Sequence, residues 1–365
     1  MPVLIFGLFE LKQAHKKSVT LHLDFDMNLL ARMRKCFHFF IMLLLMAQSP
    51  FLLGQDAAFS QFYANPLHLN PALAGNTECG RLGLSYRNQW PSLNDAYLTY
   101  SVAYDQQLPS VNSGFGFLML RDQQGGGAYN RTSLAAIYAY HLELSSQSRL
   151  NFGMKAAFYQ EDISWEKLIF ADMINPSTGQ ADGFTNETKP SKPTVYAADF
   201  AAGLVYSYAG VFFAGLSADH LTQPQLSFYQ SEEERLALRF TLHGGFNFNM
   251  TTGRFGEVIQ GDLFIQPNLL FLQQQSFQQI NAGIYVGKSP FVGGIWYRHT
   301  LENADAVAVL LGLQWENFRF GYSYDYTVSN LSGKSGGAHE VSIGWDFCIY
   351  KDTKRRIRTI KSPVF

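Results

Sequence analysis

The sequence predicts an all-β protein: an outer-membrane antiparallel β-barrel of about fourteen strands, preceded by an irregular N-terminal segment. Three observations carry this. Apolar and polar residues alternate with period two from Arg81 to Phe347, the signature of β-strands with two unlike faces. The connections between these stretches sort by length, long at one end and short at the other. No segment is apolar for long enough to cross a membrane as a helix.

Composition narrows the class. Only 16% of the 365 residues are charged and the net charge is −1, so nothing global points to nucleic acid. A mean hydropathy of −0.07 is too polar for a bundle of membrane helices. The 31 Phe and 19 Tyr suit a barrel with aromatic girdles at the membrane surfaces.

The strongest apolar run, Phe39–Ala47, follows Arg32, Arg34 and Lys35 and precedes a polar stretch near Gln55. A basic flank, a short apolar run and a polar exit describe a secretory signal peptide. It is placed at 27–55, with Met27 as the natural start, residues 1–26 as an upstream mis-start or, alternatively, an unusual leader, and cleavage between Ser49 and Gln55. Cys36 precedes the apolar run and lacks a lipid-attachment motif. The exported part retains two cysteines, Cys79 and Cys348, so no disulfide framework holds it together.

Residues 56–79 form an irregular segment. Pro66 and Pro71 break any helix or strand there. Phe59, Phe62, Tyr63, Leu67 and Leu69 still require a surface to pack on. The barrel occupies 80–349. Its strands are expected at 80–90, 95–105, 112–121, 130–142, 148–160, 195–207, 210–219, 236–248, 257–267, 277–286, 290–299, 304–315, 317–327 and 339–349. Leu82, Leu84 and Tyr86 share one face, as do Leu150, Phe152, Met154, Ala156 and Phe158. The other face carries Arg81, Arg87, Arg131, His141, Lys155, Asp199, Asp219 and Arg319. Gln260–Gln266 and Gln278–Asn281 alternate less cleanly. A basic tail, 350–365, holds Lys351, Lys354, Arg355, Arg356, Arg358 and Lys361 against Asp352 alone.

The longest connections are the fifth (161–194), seventh (220–235) and thirteenth (328–338), all odd. Even ones, such as Tyr208–Ala209, are short. Odd connections of a meander share one end, so this sorting matches surface loops and periplasmic turns. An even strand count places both termini on the periplasmic side. A closed barrel also pairs every backbone group, as hydrocarbon requires. Glycines such as Gly114, Gly116, Gly293 and Gly294 would permit bends and tight packing in the lumen. The long loop 161–194 reads as a surface lid or partner site.

No constellation carries catalysis, a cofactor or a metal. Asp219 and His220 are sequence neighbours at a strand end, are expected to diverge, and lack a nucleophile-elbow motif. His243, His299 and His339 show no metal-ligand spacing. Gly125–Gly127 lacks the Lys and Ser/Thr of a phosphate loop. Glu232, Glu233 and Glu234 form a solvated acidic stretch that could alternatively bridge cations to lipopolysaccharide. Asp325, His339 and Glu340 are expected near the outer rim, satisfying hydrogen bonds, with a cargo site as the alternative. Cys79 begins the first strand and Cys348 ends the last. Those strands are neighbours in a closed barrel, so a disulfide is an expectation beside the alternative of two thiols.

Four blocks resemble one family: FSQFYANPLHLNPALAG (59–75), FFAGLSADHLTQP (212–224), RFTLHGGFNF (239–248) and GYSYDYTVSNL…HEVSIGWDF (321–347). They are similar to the PorP/SprF family of Bacteroidetes, outer-membrane proteins of the type IX secretion and gliding-motility apparatus. The resemblance covers essentially the whole mature chain. Its specific parts are Phe59, Ser60, Gln61, Asn65, Pro66, Asn70, Pro71 and Ala72 in the first block. In the last they are Tyr322, Tyr324, Asp325, Tyr326, His339 and Glu340. The resemblance implies a fatty-acid-transporter-like barrel, in which an Asn-Pro-Ala motif marks the hatch. That would place 56–79 in the lumen or at its periplasmic mouth.

It further implies a non-enzymatic protein without cofactors that supports secretion or surface anchoring of adhesin cargo. Its partners would be the outer membrane with its lipopolysaccharide, periplasmic ring or peptidoglycan-associated proteins, and the adhesin. Lys354, Arg355, Arg356 and Arg358 are the candidate periplasmic contact. Related tails often carry a Cys before the final Pro; Ser362 stands there in this chain, so any role of that Cys does not transfer. A second reading is a channel for small apolar solutes. A soluble β-sandwich adhesin fits neither the sorted connections nor the number of apolar-faced strands.

Overall fold

A computed structural model describes residues 55–348, except 94–95, 182–183, 230–234, 250–262, 302–303 and 330–331. The expected mis-start, the signal peptide up to residue 54, the Glu232–Glu234 stretch and the basic tail lie outside the described residues.

Fourteen strands form one closed antiparallel sheet. In chain order they are β1 (Gly80–Gln89), β2 (Tyr97–Leu108), β3 (Ser113–Gln124), β4 (Tyr129–Glu143) and β5 (Ser148–Ile163). Then come β6 (Thr194–Tyr208), β7 (Phe212–Asp219), β8 (Arg239–Phe246), β9 (Phe264–Gln274) and β10 (Phe277–Lys288). The last are β11 (Phe291–Thr300), β12 (Ala304–Trp315), β13 (Phe318–Thr327) and β14 (Ala338–Phe347). A short piece, Phe248–Asn249, continues β8 and pairs with the start of β9. The β1–β14 ladder, from Gly80↔Phe347 to Gln89↔Ala338, closes the barrel. Cys79 and Cys348, flanking this seam, are disulfide-bonded with a Cα–Cα distance of 4.5 Å.

Burial along the strands is inverted relative to a water-soluble sandwich. Leu134, Phe158 and Met154 are exposed, Met154 at 67%, while Lys155, Asp199, Asp219, Arg239 and Glu340 are buried in the lumen. Apolar residues outside and charges inside suit hydrocarbon on the outer face. Among the described residues no helix is long and apolar enough to cross a membrane.

The ninth strand corrects the sequence reading of 257–267: it runs Phe264–Gln274. Leu270 faces inward and packs with Tyr63, Phe213, Tyr285 and Trp296. Both faces of the strand are therefore apolar here, and the period-two signal vanishes. The eighth connection is consequently long although even, an exception to the sorted lengths. The eighth strand also starts later than the expected 236, at Arg239.

The lumen is filled by the N-terminal segment. One helical turn, Pro66–Leu69, is followed by a 3-10 turn, Pro71–Leu73. Each proline opens a turn, where a missing N–H leaves nothing unpaired. The Asn70 side chain caps the second turn by accepting the Ala72 N–H at 2.9 Å. Asp56 meets Arg131, His220, Arg239 and Gln274, all at the end with the odd connections. Further on, the Gly75 N–H donates to Asp105 at 2.8 Å and the Ala74 carbonyl lies 3.0 Å from His141 Nε2, both toward the even-connection end. The segment thus threads the lumen. Only the barrel strands, not residue 56, begin on the short-turn side.

Candidate functional site

The site is the interface between this threaded segment and the lumen wall. It has three levels, each built from inward positions of the strands.

At the long-loop end the cluster is ionic. Asp56 accepts from Arg131 at 2.8 Å, and Arg131 also bonds Glu161 at 2.6 Å. Arg239 bridges Asp56 and Asp219, each at 3.1 Å, and Lys155 pairs with Asp219. The two ring nitrogens of His220 each stand 2.7 Å from a carboxylate, Nδ1 from Asp199 and Nε2 from Asp56. A ring that donates to two carboxylates at once is an imidazolium. Burial alone would raise the Asp56 pKa, but His220, Arg239 and Arg131 outweigh it and hold the carboxyl well below its ordinary range. For His220, burial alone would lower the pKa, but the Asp56 charge and the bonds to Asp199 and Asp56 raise it. The expected divergence of Asp219 and His220 is therefore overturned. His220 adopts a left-handed backbone, φ 62°, which turns both neighbouring side chains into the lumen.

At the middle level, Glu340 accepts the backbone N–H groups of Ser60 and Gln61 at 2.7 and 3.0 Å. The Ser60 hydroxyl donates to Asp325 at 2.5 Å. Arg87 donates to Asp325 at 2.9 Å and to Glu340 at 3.2 Å, and Arg298 adds a second cation 3.2 Å from Asp325. Two arginines thus neutralise two buried carboxylates, and the remaining acceptor capacity holds the plug. The Gln61 amide donates to Ser323 at 3.2 Å and accepts from Ser342 at 2.6 Å. Below it, Phe62 meets Trp296 edge-on at 4.6 Å between centroids, and Asn65 donates to Ser85 at 2.9 Å.

At the lowest level, Asn70 donates to the carbonyls of Leu204 and Leu216, at 3.2 and 3.1 Å. The wall is stripped of side chains to receive this turn. A Cβ on Gly153 would stand 2.1 Å from the Ala72 nitrogen, and one on Gly203 2.1 Å from Asn70 Oδ1. A Cβ on Gly114 would likewise stand 2.4 Å from the Ala74 carbonyl oxygen. Gly293 does not share this role: its nearest neighbours are 3.9 Å away.

The structure brings together the whole first block. Phe59, Ser60, Gln61, Asn65, Pro66, Asn70, Pro71 and Ala72 are all buried in the lumen. It divides the last block. Asp325 and Glu340 face the plug, each two residues inside the strand end at the thirteenth connection. Tyr322, Tyr324, Tyr326 and His339 lie on the opposite face, where Tyr322 Oη is 2.8 Å from His339 Nδ1. Strand pleating sends the adjacent residues 339 and 340 to different faces. Arg298 and Asp56 had no local sequence signal as plug contacts, because nothing in one strand names its partner across a lumen. Among the described residues no group of His, Cys, Asp and Glu is disposed to hold a metal ion.

The family described as "Type IX secretion system membrane protein PorP/SprF" matches residues 52–345. The chain belongs to the PorP/SprF family. As a PorP/SprF protein it is a membrane component of type IX secretion, and family and fold are of non-enzymatic kinds. Its closed barrel, apolar outside and charged inside, is of the kind that crosses a membrane with strands. Similar solved structures include a deletion mutant of the TodX monoaromatic hydrocarbon channel, at 10% identity. That match covers 77% of this chain and 94% of that one, with a TM-score of 0.46. The toluene transporter TodX of P. putida gives 10% identity, 77% and 93% coverage and a TM-score of 0.45. The CymD monoaromatic hydrocarbon channel gives 10% identity, 81% and 95% coverage and a TM-score of 0.42. No curated protein matches the chain.

Proposed function

We propose that this PorP/SprF barrel is a plugged docking platform for type IX secretion and gliding. It would hold cargo adhesins at the surface through its long loops and secretion partners through its periplasmic face. The supporting observation is the filled lumen: residues 56–75 are tied to strands around the barrel by buried ion pairs and backbone contacts. A passage for solutes does not need its lumen locked at three levels. The connection between β5 and β6, residues 164–193, is the first candidate cargo contact. It is shaped by a Trp165–Phe170 ring contact at 4.7 Å and by Asp172 accepting from the Asn186 N–H at 2.7 Å.

On the periplasmic side, Lys354, Arg355, Arg356 and Arg358 follow Cys348 in sequence and supply charge for an acidic protein partner or anionic headgroups. A signal peptide at 27–55 would deliver the chain across the inner membrane, in a bacterium of the Bacteroidetes. The test is a clean deletion with quantitative proteomics of the cell surface and culture fluid, beside planar-bilayer conductance of the purified barrel. Loss of every type IX cargo makes it a core part of the machinery; loss of one adhesin makes it a dedicated anchor. An unchanged surface together with steady conductance would sink the docking reading in favour of a channel for small apolar solutes.

A further inference from the structure

The outer face of the barrel wall carries an apolar groove of about 620 Å³ that runs from β2 to β6. Its floor is Ala136 and Ala156, which pair across β4 and β5. Phe117 on β3 and Phe200 on β6 stand in the same row, one at either side. Leu134 and Phe158 form the next row toward the odd connections. These four large side chains are each about half exposed. The outward residues on the other side of the floor, Tyr138 and Met154, are also large. The two alanines therefore leave a hollow in the wall.

One row further toward the odd connections, the outward face changes character. Tyr86, Tyr100, Arg121, Thr132, Gln160 and Tyr196 run in register across β1 to β6. Phe, Leu and Met thus give way to hydroxyls, an amide and one guanidinium, the pattern of a wall leaving hydrocarbon. Arg121 is exposed, and its cross-strand neighbours Tyr100 and Thr132 carry no charge. Among the described residues, the outward carboxylate closest to it along the ladder is Asp162, two strands away beside Asn130. The outward face of the described strands holds one other Lys or Arg, Lys288, which ends β10 on the even-connection side.

We propose that Arg121 and this groove bind one lipid, its phosphate on the guanidinium and its acyl chains in the hollow. The two parts of the site define the occupant. A wall that crosses a membrane is bathed in acyl chains, and a hollow between aromatic side chains fills with them. A cation at the rim of that hollow, with no carboxylate beside it in its row, calls for an anion at headgroup level. The planar fork of Arg suits phosphate oxygens, and the hydroxyls of Tyr100 and Thr132 flank it. Strands lie about 4.8 Å apart, so a groove from β2 to β6 is roughly 19 Å across. That width takes more chains than a two-chain phospholipid has. The occupant is therefore the phosphorylated, many-chained glycolipid of an outer leaflet, lipopolysaccharide. The inference rests on the outer-membrane part of the docking reading, which puts the odd connections at the cell surface.

The experiment uses the full barrel, purified, stripped of lipid and held in mild detergent. Native mass spectrometry with added lipid A, the phosphorylated and acylated anchor of lipopolysaccharide, should show a saturable one-to-one adduct. Arg121→Gln and Ala136→Phe should each weaken it at least tenfold, and Lys288→Gln should leave it unchanged. Ala156→Phe fills the same hollow from β5 and replaces Ala136→Phe should that variant lack the heat-modifiable mobility of a folded barrel. Unchanged binding by a folded Arg121→Gln barrel overturns the proposal, as does equal binding of lipid A freed of its phosphates. Phosphatidylglycerol bound as tightly as lipid A overturns the choice of occupant, and adducts of every lipid without saturation overturn the site. Orientation is checked separately on intact cells, where an impermeant maleimide should label Ser177→Cys in the 164–193 connection. If that cysteine is labelled and lipid A does not bind, this inference fails alone. If it is not labelled, the surface orientation has failed and takes the inference with it.

Discussion

Glu340, on the last strand, accepts the backbone N–H of Ser60 at 2.7 Å across 280 residues of sequence. The same carboxylate takes the next amide, that of Gln61, and is neutralised by Arg87. The plug is therefore held by its main chain to a charge that the barrel seam supplies. Replacing Glu340 by Ala leaves Arg87 with only part of its compensation and frees two buried amides. Removing one partner of a buried pair costs roughly 3–5 kcal/mol. Urea unfolding of the reconstituted barrel should show a loss of that order, with Glu340→Gln intermediate. A loss below about 1 kcal/mol, the size of a surface pair, would mean that the plug is secured elsewhere.

Glycines of the wall should divide into two classes. Gly153→Ala and Gly203→Ala place a Cβ 2.1 Å from the plug backbone or from Asn70, a contact that only movement of the plug can relieve. Gly293→Ala meets nothing closer than 3.9 Å. The first two should lower the melting temperature and open a maleimide-labelling site at Ala72→Cys, and the third should do neither. Equal behaviour of all three would separate plug seating from these positions.

The Cys79–Cys348 bond ties β1 to β14 where the plug joins the wall. Its loss in Cys348→Ser is expected to cost about 2–4 kcal/mol and to abolish a mobility shift on non-reducing gels. Two free thiols in the mature wild-type protein, found by mass spectrometry, would contradict the link.

The ionic latch at Asp56 should respond to pH from both sides. The Asp56 pKa is depressed below its ordinary 3.8, so its contribution is present above that value and fades as pH falls toward the folded value. The His220 pKa is raised above 6.5, so its contribution is full below that and is lost as pH rises through the folded value. The plug's first residues should be held tightest between about pH 4 and 6.5. Maleimide labelling of Ala57→Cys, divided at each pH by that of a fully exposed cysteine, should be slowest in this window and speed up on alkalinisation. His220→Gln should abolish the alkaline limb while leaving the acid limb in place.

Much of the barrel was legible because one physical rule acts on every strand. Leu134, Phe158 and Met154 face hydrocarbon while Lys155 and Asp199 face the lumen, and pleating writes this as period two. Where Leu270 packs inside against Tyr63 and Trp296, the rule lapses, and the ninth strand was placed too early. The plug was legible as a stretch with two prolines and unpaired aromatics, but its path was not. That Asp56 lies among Arg131, His220 and Arg239 depends on strands 75 to 183 residues away meeting across a lumen.

The sequence by itself determined the two-faced strands, their number, their antiparallel order and the presence of a segment unable to join them. These follow from local alternation and from the requirement that hydrocarbon meet no unpaired backbone. Only the tertiary structure decided which charges neutralise one another and which glycines receive the plug. Closing the sheet brings those residues together, and their pairing is not encoded within a few residues of any one of them.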